Sequence, residues 1–266
     1  MRCRISSWVK VYKESLYEGY MDKKRCTAIL LAAGSGRRMG GDVAKQYMQL
    51  GGRPLICHAL QAVEASAVVD DCILVTGAAD VSYVKTEIVE YYGFHKVDRI
   101  VTGGRERYDS VYNALQVIKQ QDMRIPNEDG FIFIHDGARP FLTEEILTRT
   151  LQAVSEDHAC VAGMPVKDTI KIVDGKGYAS QTPDRNSLWQ VQTPQVFDTP
   201  LIIEAYERLM QKKEELAARE IRITDDAMVV ETLMKHPVRL VVGSYENIKI
   251  TTPEDLAVAE AFLSRG

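Results

Sequence analysis

Two arginines and a lysine follow a glycine-rich turn near the start of the chain. The stretch runs from an apolar segment, residues 28–31, through Gly34-Ser35-Gly36, Arg37-Arg38 and Gly40-Gly41 to Lys45. Glycines lack a Cβ atom, so the backbone can turn sharply and bring its N–H groups close to phosphate oxygens. Arginine and lysine supply the positive charge that those dipoles lack. The stretch therefore predicts a polyphosphate-binding loop, in preference to an ordinary turn that carries surface arginines.

Two better-known glycine loops do not fit this spacing. Lys45 lies well beyond the last glycine pair and is followed by Gln46, which excludes G-x-x-x-x-G-K-[ST]. Three residues separate Gly36 from Gly40, and no acidic residue clearly ends the next predicted strand, residues 72–75, to bind a ribose hydroxyl. A nicotinamide-dependent reductase is therefore disfavoured.

Composition excludes several other classes of protein. The chain has 266 residues, 45% of them hydrophobic, and a formal net charge of −4, so it has no overall basic field for nucleic acid. No apolar run approaches the roughly twenty residues of a membrane span. The five cysteines are scattered and never form C-x-x-C: Cys3, Cys26, Cys57, Cys72 and Cys160. We expect thiols that fill the core of a cytoplasmic protein, with neither a nucleic-acid nor a membrane partner.

The order of predicted elements indicates one α/β domain, residues 25–266. Strands and helices alternate along it, which predicts a mostly parallel sheet flanked by helices, with ligands beyond the carboxyl ends of the strands. The predicted strands are 28–31, 73–75, 99–101, 131–134, 159–165, 238–242 and 247–250, and the predicted helices include 54–66, 81–91, 110–118, 200–210 and 253–263. Residues 1–24 form an extension, either an appended helix or the product of a start codon upstream of Met21.

Two further polar segments fall at the predicted carboxyl edge of the sheet. Ser110, in the segment 103–110, either caps a helix or contacts a ligand. Asp136 follows a buried strand and could face a metal ion or a substrate hydroxyl, or could pair with Arg139 to hold the turn. His135 is explained by a structural role.

Residues 166–189 break the α/β alternation. Two β-like pieces, 169–173 and 178–181, flank the turn sequence Asp174-Gly175-Lys176-Gly177, which predicts an ordered β-arm inserted in the domain. Arg185 in this arm suits a phosphate, or a surface pair with Asp184 or another carboxylate.

Three later residues have ordinary explanations by themselves. Thr224 resembles a helix N-cap followed by acidic residues, and Lys249 alternates with Ile248 and Ile250 as an exposed lysine would. Thr193 belongs to Gln192-Thr193-Pro194-Gln195, ahead of a predicted helix.

Several segments together resemble a known family. A-A-G-x-G-x-R-M-G followed by K-Q-Y is similar to the loop of sugar and polyol nucleotidyltransferases. The segments G-G-x-x-R-x-D-S, P-V-K-D-T, D-R-N-x-L-W, I-T-D and N-I-K-I-T-T-P-E-D-L resemble the methylerythritol phosphate cytidylyltransferases over about residues 26–264. H-D-G-A-R-P matches that family's H-D-A-A-R-P in all but one residue, and position 105 is arginine where an acidic residue is frequent.

The resemblance implies a Rossmann-like nucleotidyltransferase fold whose β-arm extends to the partner subunit of a homodimer. It assigns catalytic roles to Arg38, Lys45, Arg185 and Lys249. It assigns nucleotide binding to Ala32, Ala33, Gly34, Gly36, Gly104, Ser110 and Asp136. It assigns substrate binding to Asp136, Arg139, Thr169, Arg185, Thr193, Thr224 and Lys249.

The implied reaction joins CTP to 2-C-methyl-D-erythritol 4-phosphate and releases pyrophosphate. A divalent metal ion, magnesium, would bridge the triphosphate, with Asp136 as the candidate protein ligand. Two alternatives stay open. The polyol could be ribitol 5-phosphate, or the chain could be a silent CTP-binding module, which the presence of all four implied catalytic residues disfavours.

Overall fold

The structure is a computed structural model that describes residues 24–34 and 44–265. The predicted extension, apart from its last residue, lies outside the described residues. So does the middle of the glycine loop, which includes the predicted site residues Gly36 and Arg38.

Within the described ranges, seven strands form one mixed sheet, ordered β11-β7-β10-β6-β1-β4-β5. Its members are β1 (Cys26–Ala32), β4 (Asp71–Thr76), β5 (Val97–Thr102), β6 (Phe131–Asp136), β7 (Ala159–Pro165), β10 (Trp189–Asp198) and β11 (Arg239–Val242). All neighbours are parallel except β10, which runs antiparallel to both β6 and β7. Two small hairpins, β2 (Gln49–Leu50) with β3 (Arg53–Pro54) and β8 (Ile172–Val173) with β9 (Ala179–Gln181), lie outside it. The predicted mostly parallel sheet is confirmed.

Helices cover both faces of the sheet. They are α1 (Leu55–Ala65), α2 (Val81–Tyr83, continuing as a π-helix over Val84–Glu90), α3 (Arg107–Lys119), α4 (Glu144–Asp157), α5 (Thr199–Ala218), α6 (Asp226–Met234) and α7 (Pro253–Leu263). One core packs α1, α2 and α4 against side chains such as Leu74 and Phe133. The other packs α3, α5 and α6 against Ile73, Ile134 and Phe197. Continuous apolar strands buried on both faces are typical of this arrangement.

Strand β10 is the main difference from the predicted elements. The residues from Gln192 to Gln195 were expected only to precede a helix, yet they lie within this ten-residue strand. Its buried positions include Gln192, Thr193 and Gln195, so no apolar alternation indicated a strand. The arm that leaves the end of β7 returns the chain beside it, and β10 therefore runs antiparallel.

Two element boundaries also need correction. The predicted strand 247–250 is wrong: these residues have no regular secondary structure and join no sheet in the described chain, and the Ile250 N–H instead donates to the Ala138 carbonyl at 2.9 Å. The charged run 212–220 by itself predicts a solvated helix face, and most of it is helical: helix α5 continues eight residues beyond the predicted end at Met210. A charged run on a solvated face does not end a helix, because its long side chains are good helix formers.

The β-arm is confirmed as a hairpin with short strands. Strands β8 and β9 pair antiparallel, and Gly177 takes a positive φ of 86° in the turn. Four cysteines, Cys26, Cys57, Cys72 and Cys160, are buried, as expected for core residues. No helix among residues 24–34 and 44–265 is long and apolar enough to cross a membrane.

Candidate active site

A cleft of about 470 Å³ opens where β1 and β6 end at the carboxyl edge of the sheet. Its described lining comprises Leu31, Ala32, Ala33, Gly34, Lys45, Gln46, Gly104, Arg105, Glu106, Arg107, Ser110, Asp136, Ala138 and Lys249. The start of the first glycine loop, the segment 103–110 and the end of β6 therefore meet at one edge, as the prediction of a parallel sheet implied.

The glycine pair of the second segment lets two backbones approach closely. A Cβ atom on Gly103 would overlap the Cβ of Ala33, and one on Gly104 would overlap the Cβ of Asp109. Only glycine therefore allows the segment after β5 to pack against the start of the first glycine loop. The resulting cleft wall carries no bulky side chain at this point.

Ser110 is not the cap of helix α3, which corrects one of the two interpretations. The N-cap is Glu106, which forms a capping box with Asp109. The Ser110 hydroxyl accepts a hydrogen bond from the Gly104 N–H at 3.1 Å and lies 3.3 Å from the Glu106 carbonyl. Ser110 is 5% exposed and fixes the backbone of the cleft wall.

Asp136 lies between two cations from distant parts of the chain. Its Oδ2 accepts from the Lys249 Nζ at 2.6 Å, and its Oδ1 lies 3.3 Å from the Arg107 Nε. Burial alone would raise the pKa of this carboxyl, but the charges of Arg107 and Lys249 outweigh burial and hold the pKa well below its usual range. Asp136 is therefore ionised at neutral pH.

The predicted alternative, in which Asp136 pairs with Arg139 to hold the turn, is wrong. The Arg139 guanidinium instead donates to the Asn247 carbonyl at 2.7 Å. Burial lowers the pKa of Arg139, although nearby Asp136 opposes that shift. Arg139 is 9% exposed and ties the turn after β6 to the segment that carries Lys249.

His135 and Thr193 lie behind Asp136 in the interior. The His135 Nε2 is 3.1 Å from the Arg139 carbonyl, and its Nδ1 is 3.0 Å from the Thr193 hydroxyl. The same hydroxyl accepts from the Asp136 N–H at 3.1 Å. Both residues are at most 3% exposed, so His135 has the structural contacts predicted for it, and Thr193 supports the end of β6 without lining the cleft.

Two lysines that lie far apart in the sequence, Lys45 and Lys249, both line the cleft. The Lys45 Nζ lies 3.4 Å from the Ile250 carbonyl, next to Lys249 in the chain. Asn247 is fully buried, and its side-chain amide donates to the Thr193 carbonyl at 2.8 Å, which anchors the segment 247–250. The segment thus brings Lys45 and Lys249 to one wall, although they are 204 positions apart in the sequence.

Two predicted residues of the β-arm lie away from this cleft. Thr169 and Arg185 are exposed, and the Arg185 guanidinium donates to the Lys167 carbonyl at 2.9 Å. The predicted surface pair of Arg185 with Asp184 is wrong. Asp184 instead caps the short helix Arg185–Ser187 by accepting from the Asn186 N–H at 3.0 Å.

Thr224 is not a helix cap either. Asp225 caps α6, because its side chain accepts from the Met228 N–H at 3.0 Å. Thr224 is exposed and lines a small hollow beside the cleft together with Arg107, Tyr206 and Asp225. Threonine and aspartate both suit an N-cap, so their order in sequence could not decide between them.

Arg107 is the residue of this site that the sequence analysis missed. It lines both the cleft and the small hollow, and its guanidinium contacts Asp136 on one side and Asp226 on the other. Its place in the segment 103–110, at the predicted edge of the sheet, was a usable signal. Nothing in the sequence, however, indicated a partner 119 positions away.

We predict that His135 makes the protein less stable in acid. Burial lowers its pKa to about 4, against about 6.5 in an unfolded chain. Between these values the unfolded state binds more protons, so the free energy of unfolding falls as the pH drops through this window, by about 2–3 kcal/mol at pH 4.5.

Urea unfolding at pH 7 and pH 4.5 measures this effect. His135→Gln should lose less stability between the two pH values than the unchanged protein, and His95→Gln, a change at an exposed histidine, should lose as much. An equal loss in His135→Gln would contradict the assignment.

Comparison with known proteins adds an independent observation. The family model described as 2-C-methyl-D-erythritol 4-phosphate cytidylyltransferase (IspD) matches residues 26–265. A relative of that name from Lachnospira eligens is 48% identical over 237 residues, covering 89% of this chain and 98% of the relative. One from Alkaliphilus oremlandii is 46% identical over 239 residues, covering 90% and 95%.

Solved structures agree. The crystal structure of 4-diphosphocytidyl-2C-methyl-D-erythritol synthase from Anaerococcus prevotii superposes with a TM-score of 0.74 at 35% identity, covering 91% of this chain and 97% of that one. The sequence match, the fold and the residues of the cleft agree: the chain belongs to the 2-C-methyl-D-erythritol 4-phosphate cytidylyltransferase family.

Proposed function

We propose that the chain transfers the cytidylyl group of CTP to 2-C-methyl-D-erythritol 4-phosphate. The products are 4-diphosphocytidyl-2-C-methyl-D-erythritol and pyrophosphate, in the non-mevalonate route to isoprenoid precursors. The observation that carries this proposal is the cleft itself, where two lysines and a paired carboxylate meet a glycine-lined wall in a member of this family. We place this reaction in the cytoplasm, where buried thiols such as those of Cys57, Cys72 and Cys160 stay reduced.

The chemistry requires no nucleophilic side chain. An oxygen of the polyol phosphate attacks the α-phosphorus of CTP, and the bond from that phosphorus to the bridging oxygen of the β-phosphate breaks as pyrophosphate leaves. The protein must align these groups and stabilise the negative charge that develops. Lys45 suits this task because its ammonium group reaches the cleft beside the first glycine loop. Arg38 is proposed as its companion on sequence grounds.

The nucleotide would lie along the wall formed by Ala32 to Gly34 and by Gly104. The close packing of Gly103 on Ala33 supports this, since a narrow wall without large side chains accommodates a flat base and its ribose. Ser110 contributes by fixing the Gly104 backbone. Gly36 is proposed as a further nucleotide-binding residue on sequence grounds.

The polyol phosphate would bind at the Asp136 side of the cleft. Asp136 stays ionised and can accept a hydrogen bond from a polyol hydroxyl, while the partly exposed Lys249 offers charge to the attacking phosphate. Arg139 and Thr193 are buried, so their contribution would be to hold the Lys249 segment and Asp136. Thr224 would contact the substrate from the small hollow next to Arg107.

We also propose that the reaction uses Mg²⁺. The described part of the chain has no cluster of three or more metal-binding side chains, and the carboxylates that line the cleft are Asp136 and Glu106. This small donor set suits magnesium, which keeps water and takes phosphate oxygens as ligands, with one or two carboxylates from the protein. When bound, the ion would neutralise charge on the triphosphate, and Asp136 is the proposed protein ligand.

A second copy of the chain would complete the site. Apolar side chains of the arm, Ile172, Val173 and Tyr178, are 46%, 60% and 71% exposed. Val191 and Val242 are also exposed, and both pair in register with Gly163 of β7, which extends an apolar strip onto the sheet. We propose that a homodimer buries this surface and brings Thr169 and Arg185 to the partner's cleft.

Pyrophosphate release from CTP and Mg²⁺ tests the proposed reaction. Methylerythritol phosphate and ribitol 5-phosphate are supplied separately, and release is expected only with the first. Release only with the second would keep the phosphate site and overturn the substrate. A folded protein that binds CTP but releases nothing with either would be the binding module.

Lys45→Ala should lower turnover by about two to three orders of magnitude, because charge on the departing pyrophosphate loses a fixed cation. Thermal unfolding should stay close to that of the unchanged protein. Lys119→Ala, which removes a lysine paired with Glu207 far from the cleft, is the matched control and should keep full turnover. Near-normal turnover of Lys45→Ala would remove Lys45 from the catalytic set.

Mixing two inactive variants tests the contribution across the dimer. When Lys45→Ala and Arg185→Ala chains are refolded together, half of the dimers are mixed, and each mixed dimer carries one intact site if Arg185 acts across the interface. Activity should then return to about a quarter of the normal value. If Arg185 acted within its own chain, both sites would stay defective and no activity would return.

A further inference from the structure

A row of alternating charges continues from the cleft into the interior. The Tyr206 hydroxyl donates to the Asp226 Oδ1 at 2.5 Å. The two carboxylate oxygens of Asp226 also accept hydrogen bonds from the two terminal nitrogens of Arg107, at 2.7 Å each. The Arg107 Nε then faces Asp136, whose other oxygen accepts from Lys249. Arg107 is thus held by Asp226 on its interior side and presents its Nε–H to the carboxylate of the cleft.

The buried end of this row is more rigid than its open end. Asp226 is fully buried and Tyr206 is 1% exposed, and a two-pronged contact fixes the plane of the guanidinium. The Asp226 N–H donates to the Gln195 amide oxygen at 2.9 Å, which anchors the start of α6 to β10. Burial lowers the pKa of Arg107, but the charges of Asp226 and Asp136 outweigh burial and raise it well above its usual value, so Arg107 is a permanent cation.

From this geometry we infer that Arg107 is a positioning residue for the transfer reaction. It acts through Asp136: anchored by Asp226 and Tyr206, it fixes the orientation of the Asp136 carboxylate toward the polyol phosphate. The inference rests on the proposed role of Asp136 in the transfer. A carboxylate held by Lys249 alone could rotate with that flexible side chain, whereas the guanidinium, whose plane is fixed by its two contacts with Asp226, offers Asp136 a second donor in a fixed position.

Arg107→Lys is the main test, because it keeps the charge that the buried Asp226 requires but cannot make both contacts. We expect kcat/KM for methylerythritol phosphate, at saturating CTP, to fall about tenfold or more. The Kd for CTP should change less than about twofold, since the glycine wall is untouched. Arg124→Lys is the matched control: Arg124 pairs with the buried Asp98 away from the cleft, and this variant should keep normal kinetics.

A double-mutant cycle separates positioning from a general loss of structure. In an Asp136→Asn background, Arg107→Lys should lower kcat/KM by less than about twofold further, because the group through which it acts is already altered. Equal effects in both backgrounds would overturn the inference. If Asp136→Asn alone behaved normally, the proposed role of Asp136 would fail instead.

Tyr206→Phe keeps the test decisive if Arg107→Lys does not fold. It removes one hydroxyl and leaves the packing of the ring in place. We expect about a threefold fall in kcat/KM for the polyol phosphate, with an unchanged Kd for CTP. Normal kinetics in the folded Tyr206→Phe variant, together with either normal kinetics or no folded protein for Arg107→Lys, would overturn the inference.

Discussion

The carboxylate of Asp136, buried between Arg107 and Lys249, is the interaction on which the arrangement of this site depends. An ionised carboxylate taken out of water costs several kcal/mol unless opposite charges and hydrogen bonds replace its hydration. The cations come from the start of α3 and from the segment 247–250. The fold must therefore bring both of these parts of the chain to the end of β6. The same requirement gathers the groups that a phosphoryl transfer needs, since a cleft with a fixed anion and fixed cations can hold a hydroxyl and phosphates at once.

Strand β10 makes this convergence possible although it carries no predicted catalytic group. Its buried polar side chains each hold a different part of the site. Thr193 accepts from the Asp136 N–H, the Gln195 amide oxygen accepts from the N–H groups of Asp226 and Ala227, and the Gln192 amide donates to the Ser244 carbonyl. Buried polar groups that are fully paired fix one arrangement of the elements around them, because any shift leaves some of them unpaired. Strand β10 therefore positions the parts of the site through specific hydrogen bonds of buried polar side chains, and not through apolar packing alone.

Sequence and structure agree where the determinants are local. Strands β1 and β6 are continuous apolar runs, and the carboxyl ends of neighbouring parallel strands must share one edge, so the meeting of the glycine loop, the segment 103–110 and Asp136 followed from sequence. Thr143 and Thr252 cap helices α4 and α7 as their residue types indicate. The hairpin of the arm followed from its turn residues, which favour one backbone geometry wherever they occur.

What only the tertiary structure decided depends on contacts between distant residues. Asp225 caps α6 where Thr224 was expected, and residues 247–250 join no described sheet because the turn after β6 takes their hydrogen bonds. The sequence indicated no role for Arg107, because a surface arginine and one held by Asp136 and Asp226 look alike in sequence. The sequence by itself determined most of the elements, the edge of the sheet at which the carboxyl-end loops meet and the family, since local preference and pattern encode these. The pairing of charges was decided by the fold, because each partner is chosen by proximity after packing and not by spacing along the chain.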